Sequence, residues 1–173
     1  MATVTTGYSF GATELVTSTK LNAAVNSATG GGGASDSTLN NCLLSFNTAS
    51  WAGGAVNGSI LNNCTLAGNS AGQFGGGHSH SGLRNCIVYY NSAPHGPNFD
   101  NNSSLVACCT YPTPEPYNSI NSITNDPLFV DWFLWDLRLQ GNSPCVDAGT
   151  NSLVKGGEDV GGGPRIRGTS VDM

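Results

Sequence analysis

The chain has 173 residues, 38% of them hydrophobic, which is enough for one domain of ordinary size with a core. Only 10% are charged, against about 25% in a usual chain, and the formal net charge of -5 excludes the basic face that a nucleic-acid partner requires. No apolar run approaches the ~18 to 20 residues of a spanning helix, and the first residues show neither the basic nor the apolar region of a secretory leader, so neither membrane insertion nor export is expected.

Residues 1–30 form an N-terminal docking or capping segment with its own apolar set: Tyr8, Phe10, Leu15, Val16, Leu21 and Val25. Residues 17–27 have helical features. Thr17, Ser18 and Thr19 are potential caps, Leu21 and Val25 are an i, i+4 pair, and the glycine run from Gly30 would end the helix.

Residues 31–125 are governed by a repeat. Cys42, Cys64, Cys86 and Cys108 recur every 22 residues, and so do Leu39, Leu61, Leu83 and Leu105. Asn41, Asn63 and Asn85 keep the same step, as do Asn47, Asn69 and Asn91. A period of this length belongs to solenoids and arrays, and the wealth of Gly, Asn, Ser and Thr disfavours helices. Alternation in Cys42, Leu44, Phe46 and again in Cys86, Val88, Tyr90 predicts strands with those side chains inward, while Leu43, Thr65 and Ile87 face the other way. Leu39 and Cys42 can both point inward only if the chain bends at Asn40 and Asn41, and Asn tolerates the left-handed conformation of such a corner. Three strands and three corners are expected per coil, with corners at the two Asn columns and at the paired glycines Gly53, Gly54 and Gly75, Gly76. The fold class is therefore all-β: a short right-handed parallel β-helix of 22-residue coils, with a non-repeat N-terminal segment and an irregular C-terminal cap. In such a stack the Asn amides donate to the next copy.

The cysteine column predicts buried, reduced thiols, because side chains that project in parallel have the wrong mutual direction for a bridge. Whether Cys109 and Cys145 pair is left open by the sequence. Tyr111, Pro112, Pro114, Pro116 and Tyr117 mark a loop that leaves the repeat, with both tyrosines as candidate contact residues. Residues 126–173 form the closing segment, where Trp132, Phe133 and Trp135 either cap the open end, meet another subunit or provide a platform for sugar.

Catalytic chemistry finds little support. Between Gly30 and Ile120 the acids are Asp36, Asp100 and Glu115, and no two share a repeat position, whereas glycoside hydrolysis needs a carboxylate pair. His78 and His80 flank Ser79 and are expected on one side of a strand, exposed beside the glycines at 75–77. Without a carboxylate or thiolate nearby they are an incomplete metal site, so no metal, no cofactor and no catalytic residues are assigned.

Residues 8–22, beginning Tyr8-Ser9-Phe10-Gly11, resemble the N-terminal segment of some phage tail fibres and tail spikes, which implies attachment to a virion. The motifs Gly53-Gly54-Ala55-Val56 and Gly68-Asn69-Ser70-Ala71 resemble bacterial β-helices of the polymorphic outer-membrane protein type. The series Asn125-Asp126-Pro127-Leu128-Phe129, Asp136-Leu137-Arg138-Leu139 and Ser143-Pro144-Cys145-Val146-Asp147 is similar to the closing segment of secreted bacterial β-helix proteins. Together these resemblances imply a structural virion protein of a tailed phage, assembled in the host cytoplasm with other virion proteins, homotrimeric, and presenting its β-helix to a receptor or host surface glycan. A secreted adhesin at the cell surface and a polysaccharide depolymerase are the alternatives.

Overall fold

The computed structural model describes residues 15–17, 20–21, 28–100, 102–112, 119–159 and 162–173. It is a β-solenoid of about four turns. The first turn comprises β1 (Leu15–Thr17), β2 (Lys20–Leu21), β3 (Ala28–Gly30) and β4 (Ala34–Ser35). The second holds β5 (Thr38–Asn40), β6 (Leu43–Ser45), β7 (Thr48–Ala52) and β8 (Val56–Asn57), and the third β9 (Ile60–Asn62), β10 (Thr65–Ala67), β11 (Ser70–Ala71) and β12 (His78–Ser79). The fourth begins with β13 (Gly82–Arg84) and β14 (Ile87–Tyr89); β15 (Ser104–Val106), β16 (Cys109–Thr110) and β17 (Ser119–Ile120) complete the stack. Equivalent strands pair in parallel, Leu39 on Leu61, Leu61 on Leu83 and Leu83 on Leu105, so each repeat position lies over itself.

The coil has four strands per turn rather than the three predicted, because it has four corners. Each corner is a column of left-handed residues: Gly31, Gly53, Gly75 and Gly96; Asp36, Gly58 and His80; Asn41, Asn63, Asn85 and Ala107; Phe46, Gly68 and Tyr90. The column at 36, 58 and 80 is hidden from sequence reading by its mixed residue types. Paired glycines have separate duties. Gly53 supplies the positive φ, while a Cβ on Gly54 would run into the carbonyl oxygens of Gly76 and Ser70 in the next coil.

Inside the coil lie Leu39, Leu61, Leu83 and Leu105, the series Leu44, Leu66 and Val88, and the cysteine column, all at most 2% exposed. Each Leu so buried contributes on the order of 2 kcal/mol. Asn41 adopts the left-handed corner that lets Leu39 and Cys42 both point inward, as predicted. Asn47, Asn69 and Asn91 also turn inward and form a ladder: Asn47 Nδ2 donates to Asn69 Oδ1 at 2.8 Å and Asn69 Nδ2 to Asn91 Oδ1 at 2.9 Å. Asn98 ends the ladder by accepting from Asn91 Nδ2 at 2.9 Å. Ser37, Ser59, Ser81 and Ser103 make a second ladder, the hydroxyls of Ser59, Ser81 and Ser103 each accepting the backbone N–H of the serine one coil earlier at 3.1 to 3.3 Å.

Two further expectations need correction. Phe46 does not continue the inward alternation: β6 ends at Ser45, and Phe46 occupies the left-handed corner, 49% exposed. The helical features at residues 17–27 are overridden at Lys20–Leu21, which pairs with Leu43 and Leu44 as β2. A helix of so few turns is marginal alone, whereas the edge of a growing sheet satisfies its backbone at once; residues 22–27 lie outside the described residues. The strand ladder thus extends beyond the strict repeat at Leu39 to Cys108, from Leu15 to Ile120.

The closing segment packs against the outward face of the β6 sheet. Its hairpin of β18 (Phe129–Asp131) and β19 (Asp136–Leu139) brings Phe129 to a second apolar cluster with Ile87, Ala107, Cys109, Cys145 and Met173. Ile87 faces outward as expected, yet it is 2% exposed because this segment covers it. All six cysteines are free and buried. Burial pushes the Cys64 and Cys108 thiols well up, and a hydrogen bond with Cys145, then burial, does the same for Cys109.

Candidate functional site

Of the N-terminal candidates, Leu15 and Val16 lie in β1 and Leu21 in β2, all on backbone that joins the solenoid. Tyr8, Phe10 and Val25 lie outside the described residues. Tyr111 is 61% exposed beyond β16, while Tyr117 is also outside them.

The closing aromatics divide into two groups. Trp132 and Trp135 pack on each other at 4.3 Å between ring centroids, Trp132 on Tyr90 at 4.1 Å and Trp135 on Phe46 at 3.7 Å. Gly68 lies between Phe46 and Tyr90 in that corner column, and Trp135 fills the space where a Cβ would stand. Both tryptophans therefore clamp the closing segment to the side of the coils. Phe133 and Leu134, at the hairpin tip, are 88% and 80% exposed.

A different face carries the more complete site. Trp51 at the end of β7, Phe74 and His95 follow one another from coil to coil, through backbone bridges of Ala52 with Phe74 and Phe74 with His95. Trp51 meets Phe74 edge-on at 5.8 Å, and Phe74 stacks on His95 at 5.3 Å. All three rings are exposed. Beside Trp51 and Phe74 a groove of about 440 Å³ is lined by Asn57, Ser79, His80, Asp100 and Asn102.

Asp100 organises the polar wall. It accepts the Ser79 hydroxyl at 2.5 Å, the His80 N–H at 3.2 Å, the Asn102 N–H at 3.2 Å and the Ser103 hydroxyl at 3.0 Å. Burial alone would raise its pKa, but these hydrogen bonds, led by that of Ser79, outweigh burial and hold the carboxyl below its usual range. Asp100 therefore fixes the loop around it as a carboxylate. The imidazole of His80 lies 3.4 Å from it and is largely solvent-facing.

Ser79, His80 and Asp100 have the composition of a nucleophilic triad without its order. Ser79 lies between acid and imidazole, 2.8 Å from His80 Nδ1, with its proton directed at Asp100, and it is completely buried. A nucleophile must be reached by substrate and deprotonated by the imidazole. The groove instead has the makings of a binding site, with two flat apolar faces flanked by an imidazole and two amides.

His78 and His80 do not share a face. His80 occupies the left-handed corner, while His78 is completely buried in the inward column above Val56, stacked on Phe99 at 6.1 Å. Among the described residues no group of three His, Cys, Asp or Glu is placed to hold a metal ion. The aromatic run escapes a search at the 22-residue step because its rings occupy no single repeat position: Phe74 lies in register over Ala52, the neighbour of Trp51, and His95 lies over Phe74 after a slip of one residue.

No family model matches the chain, and no curated protein or solved structure matches it significantly.

Proposed function

We propose that this chain is a non-catalytic structural protein of a tailed phage particle that docks by its N-terminal segment and binds host surface polysaccharide along one side of its solenoid. The observation that carries the binding half is the groove beside Trp51 and Phe74 with His80, Asn57 and Asn102. The apolar faces of pyranose rings stack on aromatic side chains, and the neighbouring amides and imidazole suit their hydroxyls. The ladders of inter-coil hydrogen bonds support the same reading, since they hold the platform residues without ordering cost on binding. The virion half rests on the resemblance of residues 8–22 to tail-fibre and tail-spike segments; association with other virion proteins and a homotrimeric state belong to it.

Purified protein mixed with host lipopolysaccharide or capsular glycan should bind it, and Trp51→Ala should weaken that binding at least tenfold without lowering the melting temperature, because Trp51 is half exposed. Binding unaffected by Trp51→Ala would remove the groove from the proposal. Light scattering that shows a monomer with no affinity for tail or capsid components would remove the virion half. The closing segment favours a second reading, a secreted adhesin, and an export system encoded beside the gene would decide for it.

A further inference from the structure

The middle of the Asn41, Asn63, Asn85 corner column differs from its neighbours. Asn41 Nδ2 donates to the Lys155 carbonyl at 3.1 Å. Asn85 is bonded twice, Nδ2 donating to the Thr150 carbonyl at 3.1 Å and Oδ1 accepting the Thr150 N–H at 2.8 Å. In this way the closing segment satisfies Asn85 at both polar atoms and Asn41 at its Nδ2, while Asn41 Oδ1 is left without a partner. Asn63 is 5% exposed, and neither its Oδ1 nor its Nδ2 has a partner. A buried amide left unpaired costs on the order of 1 to 3 kcal/mol per polar atom, so the exception calls for an explanation.

Asn63 lines a cleft of about 670 Å³ between the coil and the closing segment. Arg165 lines the same cleft, with its Nε buried and unpartnered. The other two arginines of the lining are each matched to an acid, Arg138 to Asp136 and Arg167 to Asp159. Asp172, the third acid there, accepts the Asp147 N–H at 2.8 Å. Burial favours loss of the Arg165 charge and lowers its pKa. Leu43, Ile87 and Leu139 supply apolar wall between these polar groups.

We propose that this cleft is a binding site for a small carboxylate that carries an oxygen substituent, as a hydroxyl or a ring oxygen, or an acylamino group on the adjacent carbon. The carboxylate pairs with Arg165, whose planar fork of N–H donors suits two oxygens at once. The Asn63 amide, with its Nδ2 donors and its Oδ1 acceptor all free, reads the neighbouring group. The apolar wall receives the carbon skeleton. Two sources supply this chemistry, acidic sugars and acylated amino acids, and the cleft is separate from the aromatic groove, so either proposal can fail without the other.

Calorimetric titration of the full chain decides it, with D-glucuronate and N-acetylglycine as probes and the methyl ester of each acid as its neutral counterpart. At least one acid should bind, and its neutral counterpart at least tenfold more weakly; which acid binds identifies the source. Arg165→Gln, checked for an unchanged melting curve, should lose at least tenfold for that acid. Asn63→Gly, which suits the left-handed corner, should weaken it severalfold. The proposal is overturned if neither acid binds, if the methyl ester binds as well as the acid that does, or if Arg165→Gln leaves acid binding unchanged. The ester comparison needs no variant and stands even if a substitution disturbs folding.

Discussion

His78 shows how one position can depart from its column and leave a measurable signature. Ala34 and Val56 precede it in the inward column, so an imidazole stands where an aliphatic side chain would pack. Its Nδ1 reaches the Ser103 hydroxyl at 3.2 Å, but Nε2 is buried without a partner. Burial pulls its pKa from 6.5 down to about 4, and Asp100 opposes this only in part. The unfolded chain therefore takes up a proton at His78 between about pH 6.5 and 4, whereas the folded chain does not. Stability from this group is full above pH 6.5 and falls as the pH drops towards 4, by about 3 kcal/mol in total. His78→Val, which restores the residue type of the coil below, should flatten the dependence of melting temperature on pH in that window. A wild-type protein equally stable at pH 4.5 and 7 would contradict the burial of this ring.

Within a coil, the ladders and the close glycine contacts dominate. Asn69 accepts the backbone and side-chain N–H groups of Asn47, at 2.9 and 2.8 Å, and donates to the Leu44 carbonyl at 3.0 Å and to Asn91. Asn69→Ala strands several buried groups together and should cost about 3 kcal/mol in denaturant unfolding. Asn47→Ala, at the outer end of the ladder, leaves fewer groups unpaired and should cost less. Gly54→Ala is expected to be worse than its small volume implies, because the added Cβ meets backbone carbonyls that cannot turn aside as a side chain could. A loss of more than about 2 kcal/mol, or failure to fold, is expected. A Gly54→Ala protein as stable as wild type would show that the coils can part locally. The Asn and Leu columns were legible in the sequence because one residue type repeats at one step. Asp36, Gly58 and His80 share a corner and a backbone conformation but no residue type, and the fourth corner stayed hidden for that reason.

Across the molecule, the closing segment works as a clamp on the flank of the solenoid. Trp135 packs on Phe46 and over Gly68 while Trp132, in contact with it, packs on Tyr90, so the two rings together tie the hairpin to three coils through one corner column. Trp135→Ala should lower stability by about 2 to 4 kcal/mol and speed limited proteolysis within residues 126–173 before the coils are cut. Simultaneous loss of both regions would instead make them one cooperative unit. The sequence identified Trp132, Phe133 and Trp135 as a group, but it could not divide them. Phe133 stays exposed with Leu134 at the hairpin tip while Trp132 and Trp135 fold back, and only the antiparallel turn of the hairpin decides which rings meet the coil.

The sequence by itself determined the parallel β-solenoid, its step and its inward Leu and Cys columns, because stacking turns a fixed interval along the chain into contact in space. It also determined reduced thiols in the repeat column, from the parallel direction of their side chains. Tertiary structure decided what lies across coils out of register. Trp51, Phe74 and His95 form a run because Phe74 lies over Ala52, next to Trp51, and because the bridge of Phe74 with His95 shifts by one position. Asn63 and Arg165, 102 positions apart, face one cleft only because the closing segment returns along the coil. Such juxtapositions depend on how the chain returns upon itself, and no local pattern of residues encodes that path.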